Sequence, residues 1–232
     1  MSHKNFPKHI AVLGDSVFDN QNYLHPDEKD GQARLQDAFP DYHLTFLAVD
    51  GHKSDNVRNT QLKYLADAVK KKPISDIILS VGGNDLLDCA FLLGEKPKTV
   101  GQALSVIREY QQTFAESYAK TIEAIDDTVY EYCDNVRWHV CNIYYPCLDH
   151  PNNNRFPIPN SLEVMQACEL AVDAYNQVIT KAFSAFPKEV IDMNWVFWNK
   201  RKTFYANPIE PSSEGSRQLA QILKSRIDRR SQ

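Results

Sequence analysis

The sequence predicts an α/β fold, a parallel sheet covered by helices on both faces. Two observations carry the prediction: short apolar runs alternate with longer stretches of helical periodicity, and three of those runs stop at a turn rich in Gly, Asp, Ser or Asn. No internal repeat or domain boundary competes with this alternation. The 232 residues are therefore read as one domain, 1–232.

The first strand is expected over His9 to Leu13, broken by Gly14-Asp15-Ser16-Val17-Phe18-Asp19. A second run, Leu44 to Val49, ends at Asp50-Gly51, and a third, Ile74 to Val81, ends at Gly82-Gly83-Asn84-Asp85. Leu104, Ile107, Phe114, Tyr118, Ile122, Ile125 and Val129 then keep mostly to spacings of three, four and seven, the mark of one long amphipathic helix. Val136 to Tyr144 is the fourth strand. A second long helix follows on Leu162, Met165, Cys168, Val172, Tyr175, Ile179, Phe183 and Phe186, stopped by Pro187. Glu189 to Val196 reads as the fifth strand. The last helix begins after Pro211, with Ser212 or Ser213 as its cap, and runs through Leu219, Ile222, Leu223 and Ile227. Two irregular stretches, Gly94 to Gly101 and the polar, Pro-containing Leu148 to Pro159, are expected to shape a cleft over the C-terminal edge of the sheet.

Composition excludes several classes. A 43% hydrophobic content with 24% charged residues is that of a globular domain, and a net charge of -4 argues against nucleic acid as a partner. The five cysteines form an odd set without a Cys-x-x-Cys pair, which fits a reducing compartment. Cys89, near Asn84, reads as a small buried apolar residue. The N-terminal apolar stretch is too short for a signal peptide, and no run approaches the roughly 20 apolar residues of a transmembrane segment, so a cytoplasmic location is expected. His and Asp positions show no metal-ligand spacing, and no phosphate-cradling glycine loop follows the first strand, so neither metal nor cofactor is expected and a nucleotide or flavin binder is disfavoured.

A strand that breaks at Gly14 and delivers Asp15 and Ser16 onto a turn puts a hydroxyl at the C-terminal edge of the sheet, where α/β proteins keep their chemistry. Ser16 is the candidate nucleophile. With Gly51 and Asn84 each following a further strand, the chain resembles the SGNH (GDSL-type) hydrolases, whose blocks run Ser, Gly, Asn and then Asp-x-x-His. The resemblance spans nearly the whole chain. It implies a three-layer α/β/α sandwich of flavodoxin-like type with five parallel strands in the order 2-1-3-4-5. It further implies that Ser16 attacks the carbonyl of a small-molecule ester while the Ser16 and Gly51 backbone N–H groups and the Asn84 amide stabilise the oxyanion. Asp15 and Asp19 are expected to hold the turn through backbone hydrogen bonds, and Asp85 to support Asn84.

The last block departs from the pattern. It reads Asn207-Pro208-Ile209-Glu210-Pro211-Ser212, with Asn207 in place of the Asp and Glu210 in place of the His, and is similar to a bacterial branch of the family with the same ending. Glu210 is then the candidate base. The start of the last helix is expected to lower its pKa unless burial or a neighbouring carboxylate offsets that effect. Asn207 is expected to orient Glu210 at most, by donating an amide hydrogen bond. Two loop histidines, His150 and His52, are alternative bases, each otherwise a solvated loop residue; His3, His9, His25, His43 and His139 are not singled out. Asp192, in the expected fifth strand, is a remote candidate to pair with a base, although its place in a strand favours a structural role. The resulting reading is a serine-dependent carboxylic ester hydrolase working through an acyl-enzyme, with acyl transfer open at the same site. The alternative is an SGNH-fold protein that lost its base and binds an acylated ligand or a protein.

Overall fold

The computed structural model describes residues 8–94, 99–152, 162–184, 189–198 and 201–229. Five strands, β1 (His9–Gly14), β2 (His43–Phe46), β3 (Asp76–Ser80), β4 (Arg137–Cys141) and β5 (Glu189–Ile191), form a sheet in the order β2-β1-β3-β4-β5. Every pairing is parallel, with Gly14 beside Ser80 and Ser80 beside Cys141 at the C-terminal edge. This is the expected fold and strand order. Strands buried on both sides explain why β1 reads as an uninterrupted apolar run and not as an alternation.

Successive side chains of one strand feed opposite layers. Ala11 and Leu13 of β1 and Ile77 and Leu79 of β3 pack against α3 (Leu62–Lys71), α5 (Val100–Tyr130) and α6 (Leu162–Phe183). Ile10, Val12 and Ile78 pack on the other side against α1 (Gly31–Ala38), α7 (Met193–Trp198), α8 (Arg201–Phe204) and α9 (Ser213–Arg229). Two further helices lie near the C-terminal edge. One is α2 (Ser54–Asn56), which passes through a π-helical turn, Val57–Gln61, into α3; the other is α4 (Gly83–Gly94), which follows β3 after two intervening residues.

Three expectations are corrected. The fifth strand stops at Ile191, and most of the apolar run after it, Met193–Trp198, is helix α7. Asp192 is the reason, since its Oδ1 accepts from the Asn194 N–H at 3.0 Å while Asn142 Oδ1 accepts from the Met193 N–H at 2.7 Å, so side chains satisfy the donors that would begin a helix. Asp192 is thus an exposed helix cap and no partner for a base. The second strand ends at Phe46 because the N–H groups of Leu47 and Ala48 both donate to the Val12 carbonyl, a bulge-like step, before Val49 bonds Gly14. In the two long helices the buried stripes start later than the periodicity does: Leu104 is 61% exposed and Leu162 is 70% exposed. Phe186, Pro187 and most of the expected loops, residues 95–98 and 153–160, lie outside the described residues.

Candidate active site

The nucleophile turn is fixed by the sheet. Gly14 has φ +138°, and a Cβ there would lie 1.9 Å from the Ser80 carbonyl oxygen, so no other residue lets β1 end this close to β3. The Asp15 N–H donates to that same carbonyl, and the N–H groups of Phe18 and Asp19 fold back onto the Asp15 carbonyl. Asp15 Oδ1 accepts from the Val17 N–H at 3.1 Å and closes the turn. Asp19 reaches further than its expected place in the turn, because its Oδ2 accepts from the Asp50 N–H at 2.9 Å and so ties the Ser16 turn to the Gly51 loop.

Ser16 Oγ donates to Glu210 Oε1 at 3.1 Å. Both residues are buried, Glu210 being only 3% exposed, and its second oxygen, Oε2, is buried without a hydrogen-bond partner. Burial raises the Glu210 pKa from about 4.5 to about 7, the Ser16 hydrogen bond opposes the shift and Asp50 adds to it. The expected lowering by the helix start is therefore overturned: desolvation outweighs a dipole whose first turn begins only at Ser213.

The segment carrying Glu210 is held on all sides. Its two arms meet in an isolated β-bridge at Tyr205 and Pro211, the Ala206 N–H donates to the Glu210 carbonyl, and the Ser212 N–H donates to the Phe204 carbonyl. Tyr144 Oη donates to the Ile209 carbonyl, and the Cys147 N–H donates to that of Pro208. Asn207 does not donate to the Glu210 side chain as expected. Its Oδ1 instead accepts the backbone N–H groups of Ile209 and Glu210, both at 3.0 Å, a turn-closing role that its short side chain suits. Ser212, as expected, caps α9 by accepting from the Gly215 N–H.

Gly51 adopts φ +77°, open space surrounds the position of its missing Cβ, and among the described residues neither its N–H nor that of Ser16 has a partner. Asn84 Nδ2 spends one hydrogen on the His52 carbonyl at 3.0 Å, leaving the other to point elsewhere. Asp85 does not touch Asn84 itself. It accepts from the Ser54 N–H at 3.0 Å and from Ser54 Oγ at 2.7 Å, locking the start of α2 to the start of α4 and so fixing the Gly51 loop against Asn84. Burial raises the pKa values of Asp15 and Asp85; Glu210 and Asp85 reinforce the shift at Asp15, and Asp55 that at Asp85.

The histidines fare differently from expectation. His150 is 7% exposed and not solvated, and its Nδ1 accepts from the Asn152 N–H. His52 is half-buried with Nδ1 3.0 Å from Gln61 Nε2. Neither bonds Ser16. His139 bonds Asp76, the first residue of β3, and His9 bonds Thr45, so both serve the opposite end of the sheet. Cys89 is fully buried, which pushes its thiol pKa up to about 11 and keeps it inert. Sequence reasoning missed Gln61, although a signal existed: a polar residue in the stripe Val57, Gln61, Leu65, Val69, where every other member is apolar and buried.

No protein-family model matches the chain, and no curated protein matches it. Solved structures do resemble it. A lipase from a goat rumen metagenome superposes with TM-score 0.68 at 21% identity, covering 94% of this chain and 96% of that one. An extracellular lipase from Streptomyces rimosus gives 0.67 at 15% identity, over 94% and 99%. A phospholipase A1 from Streptomyces albidoflavus NA297 gives 0.66 at 16% identity, over 94% and 99%. At these identities the likeness is one of fold. Among the described residues no helix is long and apolar enough to cross a membrane.

Proposed function

We propose that the protein is a serine hydrolase of carboxylic esters in which a glutamate replaces the usual histidine as base. The observation that supports this reading most directly is the Ser16 hydroxyl donating to a buried Glu210 carboxylate at 3.1 Å. A pKa of about 7 suits the task, since a base near the working pH balances availability against strength. The fold shared with lipases supports the same reaction class.

In the proposed sequence Glu210 takes the Ser16 proton as Oγ bonds to the acyl carbon. The carbonyl oxygen becomes an oxyanion facing the Ser16 N–H, the Gly51 N–H and the Asn84 amide. Glu210 then returns the proton to the departing alkoxide as the carbon–oxygen bond breaks, leaving an acyl-Ser16. Water, deprotonated by Glu210, attacks the acyl group, and the proton goes back to Ser16 as the acid is released. An alcohol in place of that water completes an acyl transfer by the same steps. No third residue has to fix a tautomer, because a carboxylate has none, and this removes the need for the missing Asp.

The test is a fluorophosphonate probe and a short p-nitrophenyl ester. Wild type should label on Ser16 and turn over the ester, and folded Ser16→Ala should do neither. Undiminished turnover by Ser16→Ala would rule out Ser16 as nucleophile. Absence of labelling and turnover in wild type would favour the ligand-binding alternative.

A further inference from the structure

We infer that Gln61 is a positioning residue that locks the Gly51–His52 loop to the Ser16 turn through a hydrogen bond to His52 Nδ1, which also holds that ring in one tautomer. The inference rests on the hydrolase reading for its catalytic consequence, but its geometry stands apart from it. Gln61 is 2% exposed and sits at the last position of the π-helical turn between α2 and α3. Its amide pairs with both backbone groups of Gly14: Oε1 accepts from the Gly14 N–H at 3.0 Å, and Nε2 donates to the Gly14 carbonyl at 2.7 Å. This two-point pairing decides which end of the amide is nitrogen.

The remaining Nε2 hydrogen faces His52 Nδ1 at 3.0 Å. Nδ1 must therefore accept, and neutral His52 carries its proton on Nε2. A ring in that state has no lone pair left on Nε2, so neutral His52 is no base for Ser16. The main chain of the same residue does the work that matters: it follows Gly51 directly and its carbonyl takes one Asn84 hydrogen. Through one buried amide, the end of β1 that carries Ser16, the loop that carries Gly51 and the Asn84 side chain are joined. The π turn supplies the geometry, since an extra residue in the helical turn shifts which side chains line up along it.

The test uses side chains that mimic one ring nitrogen at a time. Asn at position 52 presents an oxygen near the place of Nδ1, and Gln presents its amide near the place of Nε2. His52→Asn should keep most of the wild-type kcat, whereas His52→Ala and His52→Gln should each lose on the order of 10-fold with KM within about twofold. Gln61→Met, which keeps the volume without the amide, should lower kcat and the rate of fluorophosphonate labelling by roughly 10²-fold, the scale of a small misplacement of reacting groups. Long-range nitrogen–proton NMR of His52 needs no turnover and should show the Nε2–H tautomer in wild type and a mixture in Gln61→Met. A wild type that labels with no probe would remove the hydrolase reading while the tautomer result still decides the lock. An Nδ1–H tautomer, a tautomer unchanged in Gln61→Met, or rescue by His52→Gln and not by His52→Asn would overturn the inference.

Discussion

At the scale of single residues the decisive group is Glu210, which, in its proposed role as base, sets activity against stability. Its pKa near 7 lies above the usual 4.5, so between those values the folded chain holds a proton that the unfolded chain has lost. Its contribution to stability is therefore greatest below about pH 4.5 and is lost as pH rises through about 7, where the buried carboxylate must ionise. Glu210→Gln is expected to lower kcat by about 10²-fold or more. The same variant should be more stable than wild type at pH 8, by on the order of 1–3 kcal/mol, and should lose that advantage at pH 4. Urea unfolding at the two pH values checks the sign. In wild type the ester kcat/KM should rise with pH around a midpoint near 7, a histidine-like profile that the proposed carboxylate base would give at this pKa. Asn84→Ala should cost roughly 10²- to 10³-fold in kcat with KM little changed, as for a donor used mainly in the transition state.

At the scale of elements the site depends on side chains that tie one segment to another. Asn20 is fully buried, donates to the Pro211 carbonyl at 2.7 Å and accepts from the Gly31 N–H at 2.9 Å. It joins the Ser16 turn to the Glu210 segment and to the start of α1, whose Gly31 sits so close that a Cβ would lie 2.7 Å from the Val17 carbonyl oxygen. Asn20→Ala leaves a buried carbonyl and a buried N–H without partners. It should therefore destabilise the fold by about 1–3 kcal/mol and lower kcat as well, because the Ser16–Glu210 distance is no longer held. Equal kcat in a measurably destabilised Asn20→Ala would show that other contacts, such as that of Tyr144 to Ile209, hold the segment unaided.

At the scale of the whole molecule two apolar layers flank one sheet. Leu79 of β3 lies in the layer with α5 and α6, and Leu223 of α9 lies in the opposite layer; both are fully buried. Leu79→Ala and Leu223→Ala should each cost about 2–5 kcal/mol. The double variant should equal the sum within about 0.5 kcal/mol, since the sheet separates their surroundings. Strong non-additivity in urea unfolding would mean that the two layers respond to each other through the strands.

The layered α/β fold and the place of Ser16 were legible in the sequence because their signals are local, while Gly51 and Asn84 joined the candidate cluster through the family resemblance. A strand that runs toward the turns at Gly14, Gly51 or Asn84 announces itself by apolar residues giving way to turn formers, and a parallel sheet gathers such endings along one edge. Even the odd last block was legible as far as making Glu210 a candidate, and the fold sets that residue against Ser16. The tertiary structure decided what that residue is chemically. Whether a carboxylate before a helix is a weak or a usable base depends on how much water remains around it, and the segment that buries Glu210 is held by Tyr144 and Cys147, contacts made across long separations in the chain. The same holds for Asp192, which became a helix cap in place of a strand residue, and for Gln61, whose polar side chain on a buried stripe acquires its purpose only when Gly14 and His52 are folded against it. Local pattern carries periodicity and turns; desolvation and hydrogen-bond partners come from residues far apart in the chain, and only the folded molecule brings those together.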